Sequence, residues 1–417
     1  MKIERNGTRT LGLVVSTLAI ASCAPRTSHQ PERATSSAQA VLSAAPRAPE
    51  PVPPGAMRVA TFNAGLAPGV IAYAGARAPR VVEELASVPL DLLCVQEFWL
   101  EEHWQSLVSA TAARMPHTYR ASRPAVTTRC SSDELRPLEK CVSERCAGKD
   151  ADSVASCVVA RCAAVATQVS AGCLDCLIER PLGDLDTIAG RCRADEPTVS
   201  SRPSSKARTT AQPKPTKPIA AFGGSSGTGL LSREPLTDRD VIEFTSEMSN
   251  RSALYAKMSR PDGPVHVVCT HLGTGEQEQH EQLERVLAWV GQKTADGAPV
   301  LLLGDLNIGP ELPRNGVRPR HLANLARLND LGFRSVYAEQ PGARCTYCDS
   351  NPLNGGIEGE GGTLIDHVFL KGPLTGSQST RLLEKKIEVR VSGQPLRTAP
   401  SDHYGLAVTV QTTRTQG

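Results

Sequence analysis

Short apolar runs that stop at one polar side chain recur along this chain, as in DLLCVQE, VHVVCTH, PVLLLGD and TLID. Runs of this length, bounded by turn formers, read as buried strands. The polar residue then stands at the end of a strand, at the edge of a sheet where a site can form. MRVATFN, TGLLSREPL, SALYAKMS and YGLAVTVQ read as further strands, and ARAPRVVEELASV, EHWQSLVSATAARM and EQEQHEQLERVLAWVGQK as helices. Many strands with interspersed helices predict an α/β (α+β) fold of layered sheets flanked by helices. A chain of 417 residues, 40% of them hydrophobic, has the material for a sizeable core.

The folded part begins near Met57. Before it, Lys2 and Arg5 precede an apolar run over residues 11–21 that is too short to span a bilayer, so residues 1–23 read as a targeting segment. Ile20-Ala21-Ser22-Cys23 resembles the lipobox of bacterial lipoproteins, which implies cleavage before Cys23 and attachment of lipid to it. The plainer alternative is a secretory signal with an incidental cysteine. Residues 24–56, rich in Pro, Ala and Ser, predict a tether. Thirteen cysteines agree with a disulfide-permissive, extracytoplasmic location, either anchored at the outer membrane or cell surface or secreted.

Eight of those cysteines lie between Cys130 and Cys192, with gaps of 11, 5, 11, 5, 11, 3 and 16 residues. The spacing predicts a helical, cysteine-rich insertion that, with a basic Pro/Ser linker, occupies residues 129–218 and divides one domain into 57–128 and 219–417. A turn at 148–152 would place Cys146 opposite Cys157 and Cys141 opposite Cys162, favouring those two disulfides among many connectivities. Cys173 and Cys176 form a CxxC, but no second ligand pair stands nearby, so a disulfide is preferred to zinc. Cys345 and Cys348 are placed for a small disulfide or a cross-link to the insertion. Cys94 and Cys269, inside apolar strands, read as buried thiols.

Composition excludes some functions. Aromatic residues at 4% argue against a stacking surface for single-stranded nucleic acid, and a net charge of +3 argues for no polyanionic partner. GGSSGTG follows a linker and not a phosphate-binding strand, and SREP lacks the surroundings of a nucleophile elbow. What remains is a set of oxygen donors at strand ends, Asn63, Glu97, Asp305, Asn307, Asp366 and Asp402, joined by His271 and His403. Singly, each is an ordinary strand-end residue. Together they suit a hard divalent cation, which prefers one or two carboxylates with other oxygens and water.

TFNAGL, VQEFW, GTGLLSREPL, CTHLG, GDLN, LIDHVFL and SDHYGL, in that order, resemble the successive motifs of the endonuclease/exonuclease/phosphatase, or deoxyribonuclease I-like, superfamily. The resemblance implies a four-layer sandwich of two mainly antiparallel β-sheets flanked by helices, and Mg²⁺-dependent hydrolysis of phosphoric esters, with Mn²⁺ as substitute. By the same resemblance Glu97, Asn63 and Asp402 are metal contacts. Asp305 orients or deprotonates the attacking water, and Asn307 holds a phosphate oxygen. His403, with Asp366 as its partner, faces the scissile phosphate, and His271 donates to a phosphoryl oxygen. His367, facing away from Asp366 by strand alternation, reads as structural.

The substrate is less legible, because one fold serves many substrates. RCTYCDSNPLNG and RSALYAKM are similar to stretches of the sphingomyelinase branch, which implies a phospholipid headgroup phosphodiester reached by a lipid-anchored monomer. A turn at Asn351-Pro352 is the structural alternative. Two features run against that branch: Gln279-His280-Glu281-Gln282 replaces the family's Arg-x-x-Gln, and no apolar hairpin suited to membrane entry stands out. A secreted nuclease acting on DNA or RNA is the second reading, with Arg314, Arg318, Arg320 and His321 as candidates for a basic groove. A catalytically silent surface protein that binds through its insertion is the third.

Overall fold

The computed structural model describes residues 52–68, 70–121, 130–147, positions within 157–193, and 225–244, 249–356, 361–391 and 393–413. The signal segment with Cys23, most of the tether, the turn at 148–152 and the basic linker lie outside the described residues.

Two six-stranded sheets carry the domain. The first contains β1 (Met57–Asn63), β2 (Leu92–Gln96), β3 (His117–Arg120), β4 (Gly229–Ser232), β13 (Leu374–Leu382) and β16 (Gly405–Thr412), in the order β13-β16-β1-β2-β4-β3. The second contains β5 (Leu236–Phe244), β6 (Arg251–Met258), β7 (Val265–His271), β8 (Val300–Asp305), β9 (Arg334–Ser335) and β12 (Asp366–Lys371), in the order β5-β6-β7-β8-β12-β9. β1 runs parallel to β2 and β7 to β8; the other neighbours are antiparallel. Two short pairs, β10 (Tyr347–Cys348) with β11 (Gly362–Thr363) and β14 (Ile387–Val391) with β15 (Gln394–Thr398), lie outside them.

The layering follows from strands that are apolar on both faces. In β7, Val265, Val267 and Cys269 pack between the sheets against Leu92, Leu301 and Val408, while Val268 faces outward. There it meets Leu283, Val286 and Val290, the apolar stripe of α5 (Glu276–Lys293). On the other outer face, Ala78, Val81 and Leu85 of α1 (Ala74–Ser87) and Leu107 of α2 (Glu101–Thr111) cover Phe62 and Val95. The result is the expected sandwich of two mainly antiparallel sheets with helices outside. No helix among the described residues is long and apolar enough to cross a membrane.

The described part of the insertion contains helices and one β-bridge, between Cys130 and Arg193. α3 (Ser132–Arg145) starts at a capping box in which Ser131 and Glu134 satisfy each other's backbone N–H, and α4 (Ala163–Ala166) is short. Cys141–Cys162 and Cys146–Cys157 are bonded as the spacing predicts, and Cys345–Cys348 closes the small loop. Cys130–Cys173 removes Cys173 as a zinc ligand, and Cys192 is disulfide-bonded as well.

The reading of Cys94 and Cys269 as thiols is corrected: they form a disulfide between β2 and β7, with Cα atoms 5.5 Å apart. Both side chains point into the layer between the sheets. A sequence separation of 175 residues hid the approach, because an apolar strand suits a thiol and a disulfide equally. Removing the bond in a Cys94→Ala/Cys269→Ala variant is expected to lower unfolding free energy by about 2–5 kcal/mol in urea titrations. An unchanged midpoint would show that the bond does not hold the two sheets together.

Candidate active site

The strand register builds half the site. His271 stands opposite Asp305 across β7 and β8, and Asp305 opposite Asp366 across β8 and β12, so three side chains form a row along one sheet edge. On the other sheet, Asn63 pairs with Gln96 at the ends of β1 and β2, with Glu97 next in the chain. Asn63 joins the two sheets: its Nδ2 donates to Glu97 Oε1 at 3.2 Å and to Asp305 Oδ2 at 3.0 Å. His403, just before β16, places Nδ1 2.8 Å from Asp366 Oδ2 and Nε2 3.9 Å from Asp305 Oδ2. His271 Nε2 lies 3.4 Å from Asp305 Oδ2. The Asn307 N–H donates to Asp305 Oδ1 at 3.1 Å, while its side-chain amide donates to Leu272 O at 3.0 Å. Asp402 is close enough to Glu97 that its charge opposes ionisation of the Glu97 carboxyl. All eight residues singled out in the sequence therefore converge at one end of the sandwich.

The backbone is bent to achieve this. Glu97 and Asn307 hold positive φ, 60° and 54°, a conformation rare outside glycine that turns each side chain back over its own strand end. Gly65 leaves room for Asp402, since a Cβ there would meet Asp402 Oδ1 at 2.1 Å. Gly304, at φ 151°, lets β7 and β8 close, for a Cβ would lie 1.9 Å from Thr270 O. These two contacts are the physical content of the glycines in TFNAG and GDLN.

Electrostatics divide the groups. Burial, and then the charge of Asp366, push Asp305 up to about 7. Burial and then Asp402 raise Glu97, against the opposing pull of Arg251, His403 and Asn63. Burial alone would lower His403, but Asp366, Asp402 and Asp305 outweigh it and hold the ring protonated. His271 is driven well below its ordinary value by burial, Arg251 and His403, and is neutral.

Several contributors lie inside the quoted stretches RSALYAKM, RCTYCDSNPLNG and SDHYGL but carry no assigned role in the sequence reading. Arg251, the first residue of β6, brings Nη1 to 2.6 Å from both ring nitrogens of His271, and its Nε is buried without a hydrogen-bond partner. It precedes Ser252, which pairs with His271, so strand register was the signal that could have found it. Ser401 Oγ lies 2.8 Å from Asn63 O and 3.0 Å from Asp402 Oδ1, and accepts the His403 N–H. Asn351 Nδ2 donates to Ser401 O and Asn354 Nδ2 to Asp402 O, each at 2.8 Å. The NPLN segment, a single turn of 3₁₀ helix over Pro352–Asn354, thus braces the SDH loop. Thr346 Oγ1 takes the N–H groups of Ile365 and Asp366, and the Tyr347 ring meets His403 edge-on at 5.0 Å.

His367 is structural as predicted. It is fully buried, with Nδ1 2.9 Å from Ser335 Oγ and Nε2 2.8 Å from Ile308 O. Arg318 forms a two-pronged pair with Asp349, and Arg320 and His321 both reach Thr274 O. Gln279 and Gln282, which replace Arg-x-x-Gln, brace neighbouring loops: Gln279 Nε2 donates to Leu306 O and Gln282 Oε1 accepts the Gly273 N–H.

Residues 60–403 match the Endonuclease/Exonuclease/phosphatase family, and the chain belongs to it. Members of this family are hydrolases acting on phosphoester bonds. The uncharacterized protein YbhP of Escherichia coli K12 is 37% identical over 89 residues, 20% of this chain, and the chain spans about a third (34%) of that relative's length. Among solved structures, SmcL superposes with a TM-score of 0.50 at 13% identity, over 85% of this chain and 99% of that one. Beta toxin from Staphylococcus aureus with bound magnesium ions gives 0.49 at 14% identity, over 86% and 100%. Sphingomyelinase C from Streptomyces griseocarneus gives 0.48 at 14%, over 85% and 99%. These similarities describe the fold.

Proposed function

We propose that the protein is a Mg²⁺-dependent phosphodiesterase, and the observation that carries this reading is the division of one buried cluster into two differently charged halves. Glu97 and Asp402 bring two carboxylates together on one side, and Asp402 opposes ionisation of Glu97, while His403, hydrogen-bonded to Asp366, is held protonated on the other. Asp305, Asp366 and His403 also lie close enough together to form a metal cluster by distance alone. That arrangement is disfavoured as the metal centre, because His403 Nδ1 is engaged by Asp366 and an imidazolium has no lone pair for a metal. The cation is assigned instead to the carboxylates of Glu97 and Asp402, hard oxygen donors suited to Mg²⁺ or Mn²⁺, beside Asn63, whose Nδ2 faces Glu97 and Asp305 while its Oδ1 takes the Gly65 N–H.

A divalent ion held there would supply positive charge to a phosphoryl oxygen and the leaving group. Asp305, poised near neutrality, takes the proton of the attacking water. His403 as imidazolium donates to a phosphoryl oxygen, with Asp366 fixing the ring. Arg251 occupies the position beside His271 where a second positive donor to phosphate belongs, and Asn307 holds the loop of Asp305. Water attacks phosphorus in line, and no covalent enzyme intermediate is required.

For the substrate, a sphingomyelin-like phospholipid headgroup is favoured over nucleic acid. Three of the four basic candidates, Arg318, Arg320 and His321, spend donors within the protein, so they do not form a free phosphate track. A lipid on Cys23 would hold the monomer at an extracytoplasmic membrane surface, with the insertion as a further source of specificity. The test is a panel with Mg²⁺ present: sphingomyelin, phosphatidylcholine, duplex DNA, RNA and inositol phosphates. Headgroup release from sphingomyelin at least tenfold faster than nucleic-acid cleavage is expected. Preferential DNA or RNA cleavage would favour the nuclease reading, and no turnover of any ester would sink both.

A further inference from the structure

Arg77 belongs to none of the motifs that carry chemistry, yet it is wholly buried on α1 and both of its Nη nitrogens are aimed at loops of the site. Nε donates to Ala72 O at 3.0 Å, Nη1 to Ala64 O at 3.1 Å and Pro400 O at 2.6 Å, and Nη2 to Gly65 O. Ala64 and Gly65 directly follow Asn63, and Pro400 directly precedes Ser401-Asp402-His403. One planar guanidinium therefore grips two of the three segments that present the assigned cation contacts, those of Asn63 and Asp402. Its fork is rigid, so it sets their separation as well as their hydrogen bonding.

Holding these carbonyls is a stabilising role for a guanidinium, and the choice of which carbonyls it holds is the informative feature. The inward face of α1 packs Ala78, Val81 and Leu85 into an apolar cluster, where a hydrophobic side chain of similar length would be at home and a buried cation carries a desolvation cost. We propose that Arg77 is a positioning residue that holds Asn63 at a fixed distance from Asp402 and His403 and so shapes the divalent-cation site. The neighbouring contacts form a continuous brace. Asn63 Oδ1 accepts the Gly65 N–H at 3.0 Å, and the successive carbonyls of Pro400, Ser401 and Asp402 are held by Arg77, Asn351 and Asn354. Removing Arg77 leaves three loop carbonyls to seek water, which moves Asn63 and Asp402 relative to Glu97.

This inference rests on the metal reading given above, and the experiment separates the two. Wild type, Arg77→Met, Arg77→Lys and Leu85→Ala, the last on the same helix and buried away from the loops, are titrated with MgCl₂ by calorimetry at a temperature where circular dichroism shows each folded. Turnover of bis(p-nitrophenyl) phosphate is measured in parallel. Arg77→Met is expected to weaken Mg²⁺ binding about 10–100-fold, the usual consequence of losing a group that orients metal ligands, and to lower kcat with KM nearly unchanged. Arg77→Lys, which keeps the charge and some of the donors, is expected to fall between Arg77→Met and wild type. Leu85→Ala should lose thermal stability and bind Mg²⁺ as wild type does. Wild-type affinity in folded Arg77→Met, or in Arg77→Lys if Arg77→Met does not fold, overturns the proposal. So does an equal weakening in Leu85→Ala, which would mark general loosening. Wild-type protein that takes up no Mg²⁺ overturns the metal reading, and this inference with it.

Discussion

Asp305→Asn is expected to lower the phosphodiesterase rate by about 10³–10⁴-fold, the range for losing a positioned general base, while leaving the protein folded. The substitution is isosteric and removes basicity; its single amide oxygen keeps one of the two N–H groups that Asp305 accepts, from Asn63 Nδ2 and from the Asn307 backbone, and gives up the other. Linkage gives an independent readout. The folded-state value of Asp305 is raised from 3.8 to about 7, so between those pH values the native protein holds a proton that the unfolded chain has released. Native stability from this group therefore falls as pH rises across that window, and the ionised carboxylate destabilises the metal-free protein above it. Asp305→Asn should thus melt at the same temperature as wild type or higher at pH 8 without metal, while being nearly inactive. The wild-type rate should rise with pH as Asp305 ionises, at a lower pH once a cation is bound, and fall only when His403 loses its proton. Wild-type turnover by folded Asp305→Asn protein would falsify the assignment of the base, and full activity in folded His403→Ala would remove the acid.

Removing divalent cations with EDTA is expected to bring activity to background, and Mg²⁺ or Mn²⁺ in excess over the chelator to restore it. Without a cation, Glu97, Asp402, Asp305 and Asp366 crowd one end of the sandwich against Arg251 and His403, and Asp366 Oδ1 is buried without a hydrogen-bond partner. A cation relieves that repulsion, so binding should also raise the melting temperature, with about 2.7 kcal/mol gained at a hundred times the dissociation constant. Glu97→Gln should lose both the activation and the thermal shift. Full activity in chelated protein shown by elemental analysis to be metal-free would rule out the Mg²⁺ mechanism.

The sequence was legible where a local pattern had a local cause. Runs such as VHVVCTH and PVLLLGD announced buried strands, α5 showed its apolar stripe, and the cysteine spacing anticipated two disulfides of the insertion. The less apolar segments were missed, among them the hairpin β14–β15 and the polar edge strand β13, because a strand that buries one face or little of either leaves a weak signal. The eight candidate residues were recoverable because each closes a short motif. Arg77 was not, and Arg251, Ser401 and Asn351, although inside quoted stretches, had no role assigned, since an arginine, serine or asparagine looks like any solvated residue until its partners are known.

By itself, then, the sequence determined the order of strands and helices and the identity of the polar side chains at their ends. Only the tertiary structure decided which of those ends meet. The two sheets face each other so that Asn63 reaches Asp305, Cys94 finds Cys269, and Arg77 spans from Gly65 to Pro400. The physical reason is one of range: strand and helix periodicity is set by neighbours a few residues apart, whereas hydrogen bonding, disulfide formation and the pKa of a buried carboxylate depend on atoms a few ångströms apart, wherever in the chain they arise.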